Sequence, residues 1–265
     1  MLGSEFLRQL SENSNFEVVA LDKDEADICK RDELEVLFKK ERPDFVLNCA
    51  AFTDVDGCES YRNLAFEVNA SAVGEIAGFC EKNDTILIHF STDYVFDGEN
   101  IDGYNENSVP TPINVYGESK ADGERLIVES GCKHYIVRTS WLFGPNGKNF
   151  VDTMLKLASE RDELKVVDDQ IGAPTYSVDL VRAVIANFIE KSSEFGVYHL
   201  TNSGKCSWYE FAKEIFELKE IDVKLSPVTT EEFVRPAKRP KCSILKNMKI
   251  GELRQWNLAL KDYLS

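Results

Sequence analysis

The chain has 265 residues, 43% of them hydrophobic, enough for one large domain or a domain with a small appended lobe. A formal net charge of −15 speaks against a nucleic-acid partner, which would want a basic face. No stretch approaches the roughly 20 apolar residues that span a bilayer, and Met1–Glu5 has neither the basic start nor the apolar run of a signal peptide. Seven scattered cysteines without a Cys-x-x-Cys pair, and three histidines far apart, give no zinc, redox or metal-binding pattern. The expectation is a reduced, cytoplasmic chain that meets neither nucleic acid nor membrane.

Met1-Leu2-Gly3 runs at once into a helix-like segment, Glu5–Leu10. Phe16–Asp22 reads as a strand with Asp22 at its carboxyl end, and Asp27-Ile28 leads into the helical Arg31–Leu34. Pro43–Ala51 reads as a further strand ending in Cys49, Ala50 and Ala51, whose small side chains let a backbone approach a ligand closely. Cys49 has no paired histidine and reads as packing. A loop, Phe52–Asp56, follows, then a helix over Ala65–Ala70 carrying Asn69, which holds either a backbone group or a ligand.

Thr85–Phe90 is a short apolar run that predicts a buried strand. It ends in Ser91-Thr92, so two hydroxyls stand where the chain leaves the sheet, and open α/β sheets bind ligands at the carboxyl ends of their strands. His89, alone in an apolar run, reads as a satisfied core residue. The Gly-, Asn- and Pro-rich loop from Phe96 to Pro112 is either a substrate-side cover or inert surface. A helix from near Val115 to about Glu129 carries Tyr116 and Lys120 one turn apart on one face. An ammonium beside a phenol favours the phenolate, which predicts a lowered pKa for Tyr116 and a usable proton donor or acceptor near neutral pH.

His134–Thr139 predicts the next strand, with Trp141 just past its end, and Asn149–Arg161 is amphipathic and helical. The remainder alternates helix and short strand over Val178–Glu190, Val197–Leu200 and Trp208–Leu218, and closes on a helix at Trp256–Leu264. Arg235–Pro240 carries three bases and two prolines: a pocket for a diphosphate, or a solvated loop.

The order of strand, Ser-Thr, loop and Tyr-x-x-x-Lys helix resembles the extended short-chain dehydrogenase/reductase superfamily. More narrowly, STDYVFDG, NVYGESKADGE and RTSWLFGPNGKNF are similar to the dTDP-4-dehydrorhamnose reductase family, and the likeness runs along essentially the whole chain. It implies an α/β fold, a Rossmann-type doubly wound parallel sheet in residues 1–165 with a small C-terminal α/β substrate lobe in 166–265 and some chain crossing back. It implies reduction of the 4-keto group of a nucleotide sugar by NADPH or NADH, with Tyr116, Lys120 and Thr92 catalytic. Gly3, Asp22, Asp27, Ile28, Cys49, Ala50, Ala51 and Asn69 then join Tyr116 and Lys120 at the cofactor. Val55, Ser91, Thr92, Asp93, Trp141 and Arg235 are the matching substrate residues. An acid at Asp22 repels a 2′-phosphate and favours NADH, although the family includes members that accept both cofactors. Family likeness further implies homodimers, some bridged by magnesium, without a carboxylate cluster in this sequence to hold it.

In that family the first strand ends in Gly-x-x-Gly-x-x-Gly, and Gly3 aligns with the last of those glycines. The first strand and two glycines are therefore expected upstream of Met1, in a missed start or a clipped chain; a genuine truncation would leave sheet edges unpaired. Two other readings stand beside reduction. One is a nucleotide-sugar epimerase or dehydratase, though dehydratases usually add an acid pair after the catalytic Thr, and here Asp93 is followed by Tyr94. The other is a non-catalytic regulatory subunit resembling the methionine adenosyltransferase beta subunit.

Overall fold

A computed structural model describes residues 1–265. Four parallel strands, Phe45–Asn48, Ile86–Thr92, His134–Thr139 and Gly196–His199, lie side by side in that order. Parallel sheets are covered on both faces, and the alternation along the Ile86–Thr92 strand shows how. Ile88 and Phe90 face one core, where Phe6 and Leu10 of the helix Leu2–Ser11 and Leu180, Val184 and Phe188 further along pack with Tyr135 and Val137. Leu87 and Ile136 face the other, built from Leu34, Phe38, Val73, Ile76 and Ile127. The latter residues come from the helices Arg31–Glu41, Ala72–Lys82 and Val115–Ser130.

A second assembly has its own core of Phe143, Val151, Met154, Leu164, Phe211, Ile215 and Leu260. Three helices, Phe150–Glu160, Trp208–Leu218 and Trp256–Leu264, enclose it together with the parallel pair Glu163–Val167 and Lys224–Val228. No helix is long and apolar enough to cross a membrane.

The expected strand Phe16–Asp22 is not formed. A strand exists through the ladder it shares with a neighbour, and this segment has none: no strand of the sheet pairs with it, and the edge strand Phe45–Asn48 pairs only with Ile86–Thr92. Phe16 and Val18 still lean on the first core, while Val19 and Leu21 stand exposed. The strand expected over Pro43–Ala51 is confined to Phe45–Asn48, so Cys49, Ala50 and Ala51 lie beyond the sheet. The strand expected to stop at Phe90 continues through Thr92.

The helix Val115–Ser130 has a clean start, with the Asn114 side chain capping the Gly117 N–H at 2.8 Å, and ends on Gly131 in the left-handed region. Its two internal glycines are contacts rather than weaknesses. A Cβ on Gly117 would lie 2.1 Å from the Tyr94 carbonyl oxygen, and one on Gly123 would lie 2.2 Å from that of Asn69. Asn69 sits in a π-helical turn, Glu67–Ser71, which interrupts the helix expected there. Gly123→Ala should therefore destabilise the protein by about 2 kcal/mol or more, against the roughly 1 kcal/mol that helix propensity alone favours. Gly78→Ala, where a Cβ meets nothing within 4 Å, should stabilise it. Urea denaturation of the two variants checks the pair, and equal stabilities would remove the close-packing account.

Candidate active site

The carboxyl end of the Ile86–Thr92 strand and the first turns of the Val115–Ser130 helix meet at Thr92 and Tyr116. Thr92 caps a short 3-10 turn, Asp93–Val95, accepting from the Tyr94 N–H at 3.2 Å while donating to Asp93 Oδ1 at 3.0 Å. The Tyr94 and Tyr116 rings meet edge to face, 5.6 Å between centroids. Burial pushes the Tyr116 phenol up, and hydrogen bonding with Thr92 pulls the other way. The lowered phenol pKa expected from the lysine is thus not found. Although Lys120 lies one turn on, its Nζ reaches down to the sheet, donating to the Phe90 carbonyl at 2.7 Å and lying 3.1 Å from His89 Nε2. Buried in this way, Lys120 is itself pulled down to about 8. A phenol held high keeps its proton at neutral pH, which is the form a proton donor needs.

Asp93 is buried, and burial pushes its carboxyl up to about 6. Its Oδ2 makes no hydrogen bond of good geometry, although Ser243 lies near enough to pull the carboxyl down against burial, and the buried Oγ1 of Thr139 and Oγ of Ser177 also lack partners. Thr139 is the register partner of Thr92 on the next strand, so both sit at the carboxyl end of the sheet. Ser91 is not brought to this group. One residue from Thr92 on a pleated strand, it faces the opposite side of the sheet and donates to Glu124, which also forms a buried ion pair with Arg138 at 2.6 Å.

Asn69 resolves to the backbone: its amide donates to the Phe52 carbonyl at 3.0 Å and to Ser119 Oγ at 3.1 Å, and it accepts from the Phe52 N–H at 2.8 Å. It thereby fixes the loop that carries Val55, half-buried at the start of the helix Val55–Ser60. Behind it, Asp56 accepts from Arg239 at 2.7 Å and lies 3.7 Å from Arg235. Burial pushes the Asp56 carboxyl up, but the hydrogen bonds from Arg239 and the Ala237 N–H, with the charges of Arg239 and Arg235, together outweigh it and hold the carboxyl below its ordinary value. The expected Arg235 is exposed, and Arg239, another of the three bases in the expected basic segment, is the better-held base of that loop. Asn114 ties the same loop to the Tyr116 helix, donating to the Lys238 carbonyl at 2.8 Å.

Trp141 takes a left-handed backbone with φ 46° and stacks on Trp208, another residue not anticipated, 3.5 Å between rings and 9° from parallel. Gly172 lies beneath it: a Cβ there would come 2.5 Å from the indole. Among the residues assigned to the cofactor, Gly3 is exposed near Cys49, the two side-chain positions 3.7 Å apart. Burial pushes the Cys49 thiol up to about 12, which leaves it inert. Ala50 is exposed and Ala51 half-buried. Asp22 accepts from the N–H groups of Asp24 and Glu25, and Asp27 from that of Cys29, each closing a local turn. Ile28 packs on the core beneath the helix Arg31–Glu41. The structure gathers no group of three His, Cys, Asp or Glu side chains that could hold a metal ion.

Because the folded pKa of Asp93 lies above its unfolded value, the native state keeps a proton that the unfolded chain has lost between the two values. Stability therefore falls as pH rises from the ordinary carboxylate range to about 6, and the loss is complete above that. Asp93→Asn should be more stable than the parent at pH 7.5, by up to about 3 kcal/mol, and indistinguishable from it near pH 3.5. Urea titrations at the two pH values test this.

Comparison with known proteins follows the same lines. The family model described as the RmlD substrate binding domain matches residues 1–265. The chain is 42% identical to the spore coat polysaccharide biosynthesis protein SpsK of Bacillus subtilis, over 99% of this chain and 93% of that one. A dTDP-4-dehydrorhamnose reductase structure from Clostridium acetobutylicum superposes with a TM-score of 0.95 at 44% identity, covering 99% of this chain and 94% of that one. One from Bacillus anthracis in complex with NADP superposes with a TM-score of 0.92 at 40% identity, covering 98% and 94%. With the Thr92–Tyr116 pair at the carboxyl end of a parallel sheet and a match along its full length, this chain belongs to the RmlD substrate binding domain family.

Proposed function

We propose that the chain reduces the 4-keto group of a dTDP-linked deoxysugar with NADPH or NADH, converting dTDP-4-dehydro-L-rhamnose to dTDP-L-rhamnose for surface polysaccharide synthesis. The observation that carries this reading is the buried Tyr116 phenol beside the Thr92 hydroxyl, at strand ends where Asp93 Oδ2 and Thr139 Oγ1 make no hydrogen bond. Orphaned buried polar atoms await a ligand that supplies theirs, and a sugar hydroxyl or the hydroxyls of a cofactor ribose fit that need. A nicotinamide bound here supplies the hydride.

The residues of this chain do the rest. Tyr116 donates its proton to the oxygen on which negative charge develops, and Thr92 hydrogen-bonds the same oxygen. Lys120 holds the nicotinamide ribose in this reading. Asp93 takes a substrate hydroxyl, Trp141 packs on the deoxysugar, and Val55 lines the entrance. Arg239 and Arg235, on the loop fastened to Asp56, face the diphosphate. Gly3, Cys49, Ala50 and Ala51 keep the backbone near the cofactor open, with Asp22, Asp27 and Ile28 toward its adenosine end. The division into a cofactor part, residues 1–165, and a substrate part, 166–265, belongs to the same reading, as do a cytoplasmic location and a homodimer.

Calorimetric titration with NADPH and with NADH tests cofactor use directly, and absence of binding would favour a regulatory role over catalysis. Tyr116→Phe should lower turnover by about 10²–10⁴-fold while the dissociation constant for the dTDP-sugar stays within about twofold. Turnover near the parent level would remove Tyr116 from the chemistry.

A further inference from the structure

Trp141 stands two residues past Thr139, at the same end of the sheet as Thr92, and takes the left-handed region with φ 46°. For a side chain of that size the conformation is strained, and it persists only where the surroundings over-determine it. They do so here. The backbone is tied to the segment that carries Gly172: the Trp141 carbonyl accepts from the Thr175 N–H at 3.2 Å, and Ser140 Oγ donates to the Ala173 carbonyl at 2.7 Å. One face of the indole lies on Trp208 at 3.5 Å, a separation into which no further atom fits. The other face is met by Gly172. A Cβ there would lie 2.5, 2.6 and 2.7 Å from Cε2, Cζ2 and Nε1. In the plane of the ring the two outer atoms would be the nearer ones, so the glycine stands over the face. Only the face turned away from Trp208 has room for it.

The two jaws are built as one piece. Gly172 pairs with Cys206 and Ile171 with Ser207 in an antiparallel ribbon, and Trp208 is the next residue. Ser207 caps the helix Trp208–Leu218 reciprocally, accepting from the Glu210 N–H at 3.0 Å while Glu210 accepts from the Ser207 N–H at 2.8 Å. Phe150 packs on Trp208 as well, 4.6 Å between ring centroids. The same ribbon reaches the reacting groups, because Ile171 bonds the backbone of Lys241 and Ser243, and Ser243 acts on the Asp93 carboxyl. We infer that Trp208 is a positioning residue for Trp141: with Gly172 opposite, it clamps the indole in one orientation and so sets the sugar-facing wall before substrate arrives. The inference deepens the reductase reading and rests on it for the contact between Trp141 and the deoxysugar. Both indoles are half-buried. With Trp208 on one face and Gly172 over the Nε1–Cζ2 side of the other, what Trp141 offers a ligand is the rest of its ring. A wall held in this way loses no side-chain freedom on binding. An indole released from the clamp has to be ordered each time, which weakens binding of the sugar and leaves the proton transfer at Tyr116 unchanged.

The first arm of the test needs no turnover. The chain has three tryptophans, so its indole ¹H–¹⁵N signals are assigned by comparison with Trp208→Phe and Trp256→Phe. Addition of dTDP-L-rhamnose should shift the Trp141 signal, and dTDP alone should not. In Trp208→Leu that signal should broaden or split. The dissociation constant for dTDP-L-rhamnose should rise about tenfold there, the upper worth of an aromatic pair, while that for dTDP stays within about twofold. Trp208→Phe, which keeps a ring on the face of Trp141, should recover most of the loss. Gly172→Ala pushes the indole from its other side without touching Trp208, and should weaken binding of dTDP-L-rhamnose in the same way; where Trp208→Leu does not fold, this arm decides alone. In turnover the loss should fall on KM, with kcat kept. Equal losses for dTDP and dTDP-L-rhamnose, or equal losses in the Leu and Phe variants, would reduce Trp208 to a packing residue. An unmoved Trp141 signal with an unchanged dissociation constant would remove the clamp. If the parent does not bind dTDP-L-rhamnose at all, the reductase reading fails, and the Trp141 signal in Trp208→Leu still decides whether the indole is held.

Discussion

Everything at the site hangs on how one helix is pinned to the sheet. The Val115–Ser130 helix is fastened from below by the buried ion pair of Glu124 with Arg138, which Ser91 completes on the strand between them. Arg138 is also stacked over Phe96, 5.1 Å from its ring centre, and lies 3.4 Å from His199 on the last strand of the sheet. The row Ser91, Arg138 and His199 crosses three adjacent strands in register. Burying such a pair gains little in net stability, because desolvation offsets the attraction, but losing one partner leaves an uncompensated charge at a cost of about 3–5 kcal/mol. The arrangement therefore acts more on register than on total stability. Only one translation of the helix over the sheet pairs Glu124 with Arg138 while seating Gly117 on Tyr94 and Gly123 on Asn69. That same translation sets Tyr116 beside Thr92.

The polar layer divides by function along the strand. Toward the carboxyl end lie groups with free valence, Asp93 Oδ2 and Thr139 Oγ1. Deeper in the strands the polar side chains are paired within the protein: His89 between Asn48 and Lys120, Arg138 between Glu124 and His199. Saturated groups rigidify, and unsaturated ones recruit. The border between the two regimes runs across Phe90 and Thr92, within three residues of one strand.

Much of this was legible in the sequence where the signal was local. The apolar run before Ser91-Thr92 and the i, i+4 spacing of Tyr116 and Lys120 each encode structure within a few residues, and the family resemblance carried the α/β class. What was not legible depended on partners distant in the chain. Phe16–Asp22 has strand composition, but composition cannot supply a ladder. Ser91 and Thr92 both read as strand-end hydroxyls at the substrate, yet the pleat sends that of Ser91 to Glu124. Lys120 was rightly placed on the face of Tyr116, but its four-carbon stem carries the amine beyond the phenol to His89 and Phe90. Arg239 and Arg235 were indistinguishable until Asp56, far upstream, selected between them, and the Trp208 stack joined two segments that no local pattern connects.

The indole pair has a consequence outside chemistry. Trp141 and Trp208 account for two of the three tryptophans and lie almost parallel at van der Waals distance, while the third, Trp256, sits edge-on to Phe211. Two identical chromophores so close couple their excited states, so this one stack contributes its own component to the optical activity of the protein. That stack joins the loop after the third strand of the sheet to the start of the helix Trp208–Leu218, both against the second core. The molecule thus carries an intrinsic optical gauge of that contact, requiring no label, and a ligand seated against Trp141 alters the signal at its source.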